Sequence, residues 1–202
     1  MSNKPQVYAV DGVIPVIDSS SYVHPSAVII GDVVIGKDCY IGPLACLRGD
    51  FGRIRIGNAV NVQETCVLHS FPGQDCRLTD RSHIGHGAVL HGCELHENVL
   101  IGMNAVVMDG VVIERDCIVG ALSFLKAKLH IPSRSMVVGN PAKVLRELSD
   151  EEINWKASGT EVYRQLAIGA PQSWQVCDAL TSLPETPMRT ELSQQTIKPK
   201  RQ

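Results

Sequence analysis

The stretch LHENVLIGMNAVVMDGVVIERDCIVGALSFL, residues 95–125, carries an aliphatic side chain at every sixth position. The repeated residues are Leu95, Ile101, Val107, Ile113, Val119 and Leu125. A period of six matches neither the 3.6-residue period of a helix nor the two-residue alternation of a meandering sheet. It is typical of short strands wound into a β-helix, with three six-residue units in each coil.

The same rhythm runs through the first half of the chain. It places aliphatic side chains at Ile29, Ile35, Ile41, Leu47, Val62, Leu68, Ile84 and Leu90. We expect these side chains to point into a narrow prism. Glycines follow several of them, and we expect these glycines to occupy corners where φ can be positive; they are Gly36, Gly42, Gly85 and Gly102. The sequence therefore predicts an all-β solenoid, a parallel β-helix, followed by an α-helix.

The composition agrees with an aliphatic prism and limits the classes of function. Only 4% of the residues are aromatic, too few for an ordinary globular core. A formal net charge of −2 without a basic stripe argues against a nucleic-acid partner. No run approaches the about 20 apolar residues of a membrane span, and the first residues lack a signal-peptide core. Seven cysteines without a CxxC pair predict free thiols in a reducing cytoplasm.

Three segments are expected along the chain: a β-helix over residues 8–148, a C-terminal helix over 149–168 and an extended tail over 169–202. Ser149 has the character of a helix N-cap, and Glu152 completes a capping box with it. The candidate packing positions of this helix are Ile153, Val162 and Leu166. Within the tail, residues 174–183 could form a short helix that docks on another surface.

Two histidines share one position of the repeat. His69 follows the inward Leu68, and His91 follows the inward Leu90. Their separation exceeds one 18-residue coil by four residues, which the turn-forming residues 70–74 can absorb. We therefore expect His69 and His91 to stack on neighbouring coils, about 4.8 Å apart. Two imidazoles at that spacing can share a metal ion.

A third histidine, His86, lies two positions after the inward Ile84 and so belongs to the preceding face. It would complete the site most simply if a second subunit supplied it, which predicts cyclic assembly. Three imidazoles with an open fourth position are typical of catalytic zinc. Other histidines are expected to be bystanders; they are His24, His83, His96 and His130.

The motifs that surround these histidines resemble the γ-class carbonic anhydrases. The matching stretches are Arg48-Gly49-Asp50, Asn61-Val62-Gln63, His83–Gly92 and Gly139–Val144. The runs Arg48–Ile54, Met103–Gly110 and Phe124–Lys128 are most similar to the phenylacetate-degradation branch of that family, and less so to its carnitine-operon branch. The resemblance implies a left-handed β-helix, a homotrimer, and zinc (with iron or cobalt as alternatives) bound by His69 and His91 of one subunit and His86 of the next.

The resemblance also implies roles for four other residues. Gln63 would orient the zinc-bound hydroxide or the substrate, although it could equally be a hydrogen-bonding corner residue. Arg48 and Asp50 would lie at the subunit boundary, either as a structural salt bridge or with a direct part in catalysis. Tyr163 would turn toward the metal from the terminal helix, or would only pack that helix.

The implied reaction is attack of a zinc-bound hydroxide on carbon dioxide to give bicarbonate. The same hydroxide could hydrolyse a CoA thioester formed in phenylacetate degradation, and a non-catalytic trimeric scaffold is a third interpretation. Hexapeptide acyltransferases share the fold but use a single histidine base. Phe51 follows Asp50, and the loop after His69 contains no glutamate, where other members carry proton-shuttling glutamates. Fast hydration is therefore not expected unless Glu64 or His83 takes over that role.

Overall fold

The structure is a computed structural model that describes residues 4–184, so most of the predicted tail lies outside the described residues. Its elements, in chain order, are β1 (Gln6–Tyr8), β2 (Val16–Ile17), β3 (Tyr22–Val23), β4 (Val28–Ile35), β5 (Tyr40–Ile41), β6 (Cys46–Ile56), β7 (Asn61–Val62), β8 (Val67–His69), β9 (Cys76–Leu78), β10 (His83–Ile84), β11 (Val89–His91), β12 (Glu94–Leu95), β13 (Leu100–Ile101), β14 (Val106–Val107), β15 (Val112–Ile113), β16 (Ile118–Val119), β17 (Phe124–Leu125), β18 (His130–Ile131), β19 (Ser135–Gly139), β20 (Ala142–Glu147) and α1 (Asp150–Ser173).

The strands form a left-handed β-helix of triangular cross-section, which confirms the predicted fold class. The first face contains β1, β8, β11, β14, β17 and the starts of β4 and β6, and the second contains β2, β9, β12, β15, β18 and the ends of β4 and β6. The third face runs from β3 through β5, β7, β10, β13 and β16 to β19. Neighbouring coils pair in parallel, and only β20 turns back antiparallel to β19.

The aliphatic residues of the six-residue repeat fill the prism, as predicted. Each of them is at most 1% exposed in the structure. A second inward position, two residues earlier, is filled by small side chains such as Ala45 and Ala88. Five of the seven cysteines occupy this small position, and all seven are free thiols; the five are Cys39, Cys66, Cys76, Cys93 and Cys117. They are therefore packing residues of the coil.

The prediction that Gly36, Gly42, Gly85 and Gly102 have positive φ is wrong. Positive φ occurs instead three positions after most inward aliphatic residues, although not after Ile29, Leu47, Leu68 or Leu90. The residues that have it at this position are Asp38, Leu44, Ala59, Thr65, Arg81, Gly87, Asn98, Asn104, Gly110, Asp116, Leu122, Lys128 and Arg134. The four glycines are needed because neighbouring coils approach closely. A Cβ on Gly102, for example, would lie 2.4 Å from the backbone nitrogen of Ala121.

Helix α1 begins as predicted but ends later. Ser149 caps it, and Glu152 closes the capping box. The helix continues through Gly169 to Ser173, so the predicted boundary at residue 168 is wrong. The predicted packing positions at 153, 162 and 166 are only half-buried. The buried side instead carries Glu152, Lys156, Thr160, Ala167 and Ala170.

Polar contacts attach α1 to the corner between the second and third faces. Arg164 donates to Asp38 at 3.1 Å. Lys156 is 2% exposed and donates from Nζ to the Arg81 carbonyl at 2.5 Å and to Asn98 Oδ1 at 2.9 Å. Burial lowers the pKa of Lys156 to about 7, and the nearby Arg81 guanidinium adds to the effect. The helix is thus fixed along one edge of the third face.

The predicted short helix at 174–183 is not formed. Trp174 packs on the solenoid, with its ring centre 5.7 Å from that of Tyr22 and 5.9 Å from that of His24. Val176 and Leu183 are more than 90% exposed. In the described part of the chain, no helix is both long enough and apolar enough to cross a membrane.

Lys156 should make the stability of the protein depend on pH. In the unfolded chain a lysine keeps its proton up to about pH 10. Between about pH 7 and pH 10 the unfolded chain therefore binds a proton that the folded chain has released, and stability rises with pH. The free energy of unfolding of the wild type minus that of Lys156→Met should rise by up to about 1.4 kcal/mol per pH unit in this window. Urea titrations at several pH values measure this difference in the free energy of unfolding. Lys143→Met, at an exposed lysine, controls for the loss of a lysine. A difference that does not change with pH would contradict the expectation.

Candidate metal centre

His69 and His91 are direct neighbours at the end of the first face. They are partners in the parallel pairing of β8 and β11, which confirms the predicted stacking. The extra four residues form the loop between β8 and β9, as expected. The two ring centres are 5.1 Å apart. Nδ1 of His69 lies 3.1 Å from Nε2 of His91.

Two aspartates fix the outer nitrogens of this pair. Nε2 of His69 donates to Asp50 Oδ1 at 2.9 Å, and Nδ1 of His91 donates to Asp109 Oδ1 at 2.6 Å. Because the protons are held on the outer nitrogens, the two inner nitrogens present lone pairs to each other. The inner nitrogens are 3.1 Å apart, a separation at which they can share either a proton or a metal ion. Two zinc–nitrogen bonds of 2.0–2.1 Å at a tetrahedral angle would separate the nitrogens by about 3.3 Å, so this donor pair fits zinc.

The Arg48–Asp50 pair lies within one chain. Arg48 donates to Asp50 Oδ2 at 2.5 Å, while the other oxygen of Asp50 accepts from His69. Burial alone would raise the pKa of Asp50, but hydrogen bonds from His69 and Arg48 hold it below its usual value. The Asp50 carboxylate therefore joins Arg48 to His69. A direct part of Arg48 and Asp50 in catalysis stays a prediction.

His86 lies on a different corner, between the third and first faces. Its Nδ1 is 2.5 Å from Glu64 Oε2, and Tyr40 donates to the other oxygen of Glu64 at 2.8 Å. Burial alone would raise the pKa of Glu64, but hydrogen bonds from its backbone N–H, Tyr40 and His86 hold it below its usual value. The side chain of His86 is 47% exposed, so Nε2 can reach a group outside this chain.

Within the described residues of one chain, no group of three or more His, Cys, Asp or Glu side chains is arranged to hold a metal. His69 and His91 supply two donors, and His86 points from another corner. This arrangement agrees with the expectation that the third ligand comes from a second subunit. The ligand roles of His69, His86 and His91 stay predictions.

Gln63 and Tyr163 lie on the same side of the solenoid as His86. Gln63 lies beneath α1, and Tyr163 is part of α1. Gln63 is 2% exposed and donates from Nε2 to Asn61 Oδ1 at 3.0 Å. The same nitrogen is 2.7 Å from Nε2 of His83. The Tyr163 ring packs 5.2 Å from that of His83 and 5.5 Å from that of Tyr40. Burial and the charge of Glu64 raise the pKa of Tyr163.

Two exposed phenyl rings border the histidine pair. The Phe51 ring lies 5.4 Å from that of His69, and the Phe71 ring lies 4.8 Å from that of His91. Both side chains are more than half exposed. The opening above the two imidazoles is therefore apolar.

The sequence contains signals for two carboxylates that contact histidines. Asp109 was not predicted, and Glu64 was expected only as a proton carrier. Asp109 follows His91 by 18 residues, one coil of the helix. Glu64 and His86 occupy the same repeat position on successive coils, since each lies two residues after an inward aliphatic. A search for acidic residues one coil away from each histidine would have found both carboxylates.

Comparisons with known proteins place the chain in a family. It matches the family described as Bacterial transferase hexapeptide (six repeats) over residues 15–49 and 92–127. It is 46% identical over 166 residues to the carnitine operon protein CaiE of Proteus sp. (strain LE138), which covers 82% of this chain and 84% of that protein. The chain belongs to the hexapeptide-repeat transferase family.

Solved structures of this family superpose on the chain. A proposed acetyltransferase, the product of the BC4754 gene of Bacillus cereus, is 33% identical with a TM-score of 0.81, covering 83% of this chain and 96% of that one. A hexapeptide transferase family protein from Anaplasma phagocytophilum is 35% identical with a TM-score of 0.78, covering 81% and 97%. The expected likeness to carnitine-operon proteins is confirmed by the relative from Proteus sp.. The greater likeness to the phenylacetate-degradation branch stays a prediction.

Removing the charge of Asp109 should weaken metal binding. An Asp109→Asn side chain can donate to Nδ1 of His91 and so favour the tautomer that puts a proton on the inner nitrogen. We expect zinc affinity to fall about 10- to 100-fold, as for other partners of metal-bound histidines. Competition with a chromophoric chelator measures the loss. Asp116→Asn is the matched control, because Asp116 accepts from Asn98 at a distant corner; equal affinities of the two variants would refute the expectation.

Proposed function

We propose that this protein is a metal-dependent enzyme in which two subunits share each zinc site, and that the site hydrates carbon dioxide to bicarbonate. The pair of inner imidazole nitrogens at 3.1 Å, each with its outer nitrogen held by a carboxylate, carries the proposal. His86 has the same carboxylate support from Glu64. Zinc held by such ligands would lower the pKa of a bound water to about 7 and so supply a nucleophile at neutral pH. The same nitrogen ligands would also accept iron or cobalt.

The protein's own residues orient this site and hold its protons. Asp50 and Asp109 keep hydrogen on the outer nitrogens of the histidine pair, which leaves the inner lone pairs free for the metal. Glu64 does the same for His86, so that Nε2 of His86 faces outward. A trimer would bring that nitrogen to a neighbouring histidine pair, and hexapeptide β-helix proteins commonly form trimers.

The surface around His86 supports its placement at a subunit interface. Backbone hydrogen bonds stack the corner segments, with His86 between Glu64 on one coil and Met103 on the next. Leu44, Met103 and Leu122 along this corner are each more than half exposed. An exposed apolar column is typical of a surface that another protein chain covers.

Gln63 and Tyr163 would line the substrate side of the shared site. In one chain the Gln63 amide already donates to Asn61, and His83 holds it in place. Its carbonyl oxygen can accept from a water or a substrate hydroxyl. The Tyr163 hydroxyl keeps its proton at neutral pH and can donate to a substrate oxygen.

The apolar opening formed by Phe51 and Phe71 favours a second candidate reaction, the hydrolysis of an acyl thioester. Water adds its oxygen to the thioester carbonyl, the carbon–sulfur bond breaks, and the products are a carboxylic acid and a thiol. The resemblance to the phenylacetate-degradation protein PaaY supports this substrate class. So does the description of one structural relative as a proposed acetyltransferase. A non-catalytic scaffold would not need three imidazoles that are each oriented by a carboxylate.

Mixing two inactive variants tests the shared site. His86→Ala and His91→Ala should each lose zinc and activity. When equal amounts are unfolded together and refolded, an interface regains all three ligands if the His91→Ala subunit supplies His86 and the His86→Ala subunit supplies His69 and His91. Random assembly makes about one quarter of the interfaces intact, so zinc content and activity should recover to about one quarter of the wild-type values.

The pairing of His69→Ala with His91→Ala is the matched control, because these two variants damage the same half of the site and cannot complement each other. No recovery in the first mixture would overturn the shared site. Carbon dioxide hydration and acyl-thioester hydrolysis are then measured side by side on the zinc-loaded wild type. Full zinc occupancy with neither activity would leave the scaffold as the better interpretation.

A further inference from the structure

A groove of about 460 Å³ separates α1 from the third face of the solenoid. Its floor is apolar and comes from β10, β13, β16 and the corners that follow them. Its wall is one side of α1. The lining residues that bear on its function are Gln63, His83, His86, Trp155, Gly159 and Tyr163.

Gly159 keeps the wall of this groove open. Trp155, Gly159 and Tyr163 follow each other at intervals of four, so they lie on one side of α1. A glycine inside a helix costs about 1 kcal/mol relative to alanine. Neither a positive φ nor a close approach requires it here, because nothing lies within 4 Å of an added Cβ. The fold therefore gives no reason for this glycine, whereas a ligand between the two aromatic side chains would.

His83 lines the groove as a neutral side chain. The Gln63 amide nitrogen donates, so Nε2 of His83 accepts and Nδ1 of His83 carries the hydrogen. This Nδ1 is buried and has no hydrogen-bond partner among the described residues, so it does not face the open groove. Burial, together with the charges of Lys156 and His86, lowers the pKa of His83 to about 3, so the ring is neutral. A neutral ring in an apolar lining favours an uncharged ligand.

We propose that the groove binds the acyl group of an acyl thioester, with the chain or aryl ring between Trp155 and Tyr163 and the carbonyl near His83 and His86. This inference rests on the second candidate reaction of the proposed function. The volume is that of an ordinary small-molecule site and far exceeds the needs of carbon dioxide. His86 joins the groove to the metal centre, which places the bond that is broken next to the activated water. The groove thus selects medium-chain and aryl acyl groups over acetyl.

Filling the gap at residue 159 tests the groove. Gly159→Leu should lower kcat/KM for an octanoyl or phenylacetyl thioester about tenfold or more, mainly by raising KM. The kcat/KM of the same variant for the acetyl thioester should stay within about twofold of the wild-type value, because the acetyl group does not reach the gap. Gly169→Leu is the matched control, since Gly169 is also a helical glycine with nothing within 4 Å of an added Cβ but lies outside the groove. Zinc content and thermal unfolding confirm that both variants fold.

Three outcomes would overturn the groove as the acyl site. They are equal effects of the two leucine variants, an equal loss for acetyl and octanoyl substrates, and no loss for either. Binding separates this inference from the proposed reaction. Calorimetry with S-(2-oxononyl) pantetheine, a ketone in which a methylene group separates the carbonyl from the sulfur so that it cannot be hydrolysed, should give binding that Gly159→Leu weakens and Gly169→Leu does not. If no thioester is hydrolysed, this binding still supports the groove, and its absence overturns it.

Discussion

The hydrogen-bonded register between neighbouring coils is the constraint on which the rest of the structure depends. Backbone N–H groups along the strands of one coil bond to carbonyl groups of the next coil, so residues at the same repeat position must stack. That register brings His69 beside His91 and Glu64 beside His86. A rigid backbone, rather than flexible side chains, therefore sets the nitrogen–nitrogen distance of the candidate metal centre, which is what a site of fixed coordination geometry needs.

The loop between β8 and β9 adapts this regular frame to function. Its additional residues leave the coil without changing the register on either side, because Leu68 and Leu90 remain partners. The loop packs closely on Gly52, where an added Cβ would lie 1.9 Å from the Gln74 carbonyl oxygen. It also places the Phe71 ring against His91. This interruption of the repeat thus supplies one of the two phenyl rings that border the site, while the coil keeps the imidazoles in place.

The sequence predicts those parts of the structure that are marked by a fixed spacing of residues. The inward aliphatic residues, the stacking of His69 on His91 and the capping box at Ser149 all follow from spacing. The left-handed corners do not, because residues such as Leu122 and Lys128 have no intrinsic preference for positive φ and adopt it only when the coil requires it. The end of α1 was also missed, since the packing of Ala167 and Ala170 on the solenoid carries the helix past Gly169. The groove arises only from the placement of α1, which no local pattern encodes.

The hydrogen bonds of the carboxylates bear on the choice between the two candidate reactions. Carbon dioxide hydration at high turnover requires rapid export of a proton from the activated water. In the described part of the chain, Asp50, Asp109 and Glu64 are each engaged in orienting a histidine. Releasing any of them to carry a proton would disturb the ligand that it holds. The same arrangement suits a slower reaction, for which buffer molecules can remove the proton. The apolar opening and the groove beside His86 suit a substrate larger than carbon dioxide. The physical features that make the metal centre rigid therefore limit the rate expected for the proposed hydration, and they place no such limit on the second candidate reaction.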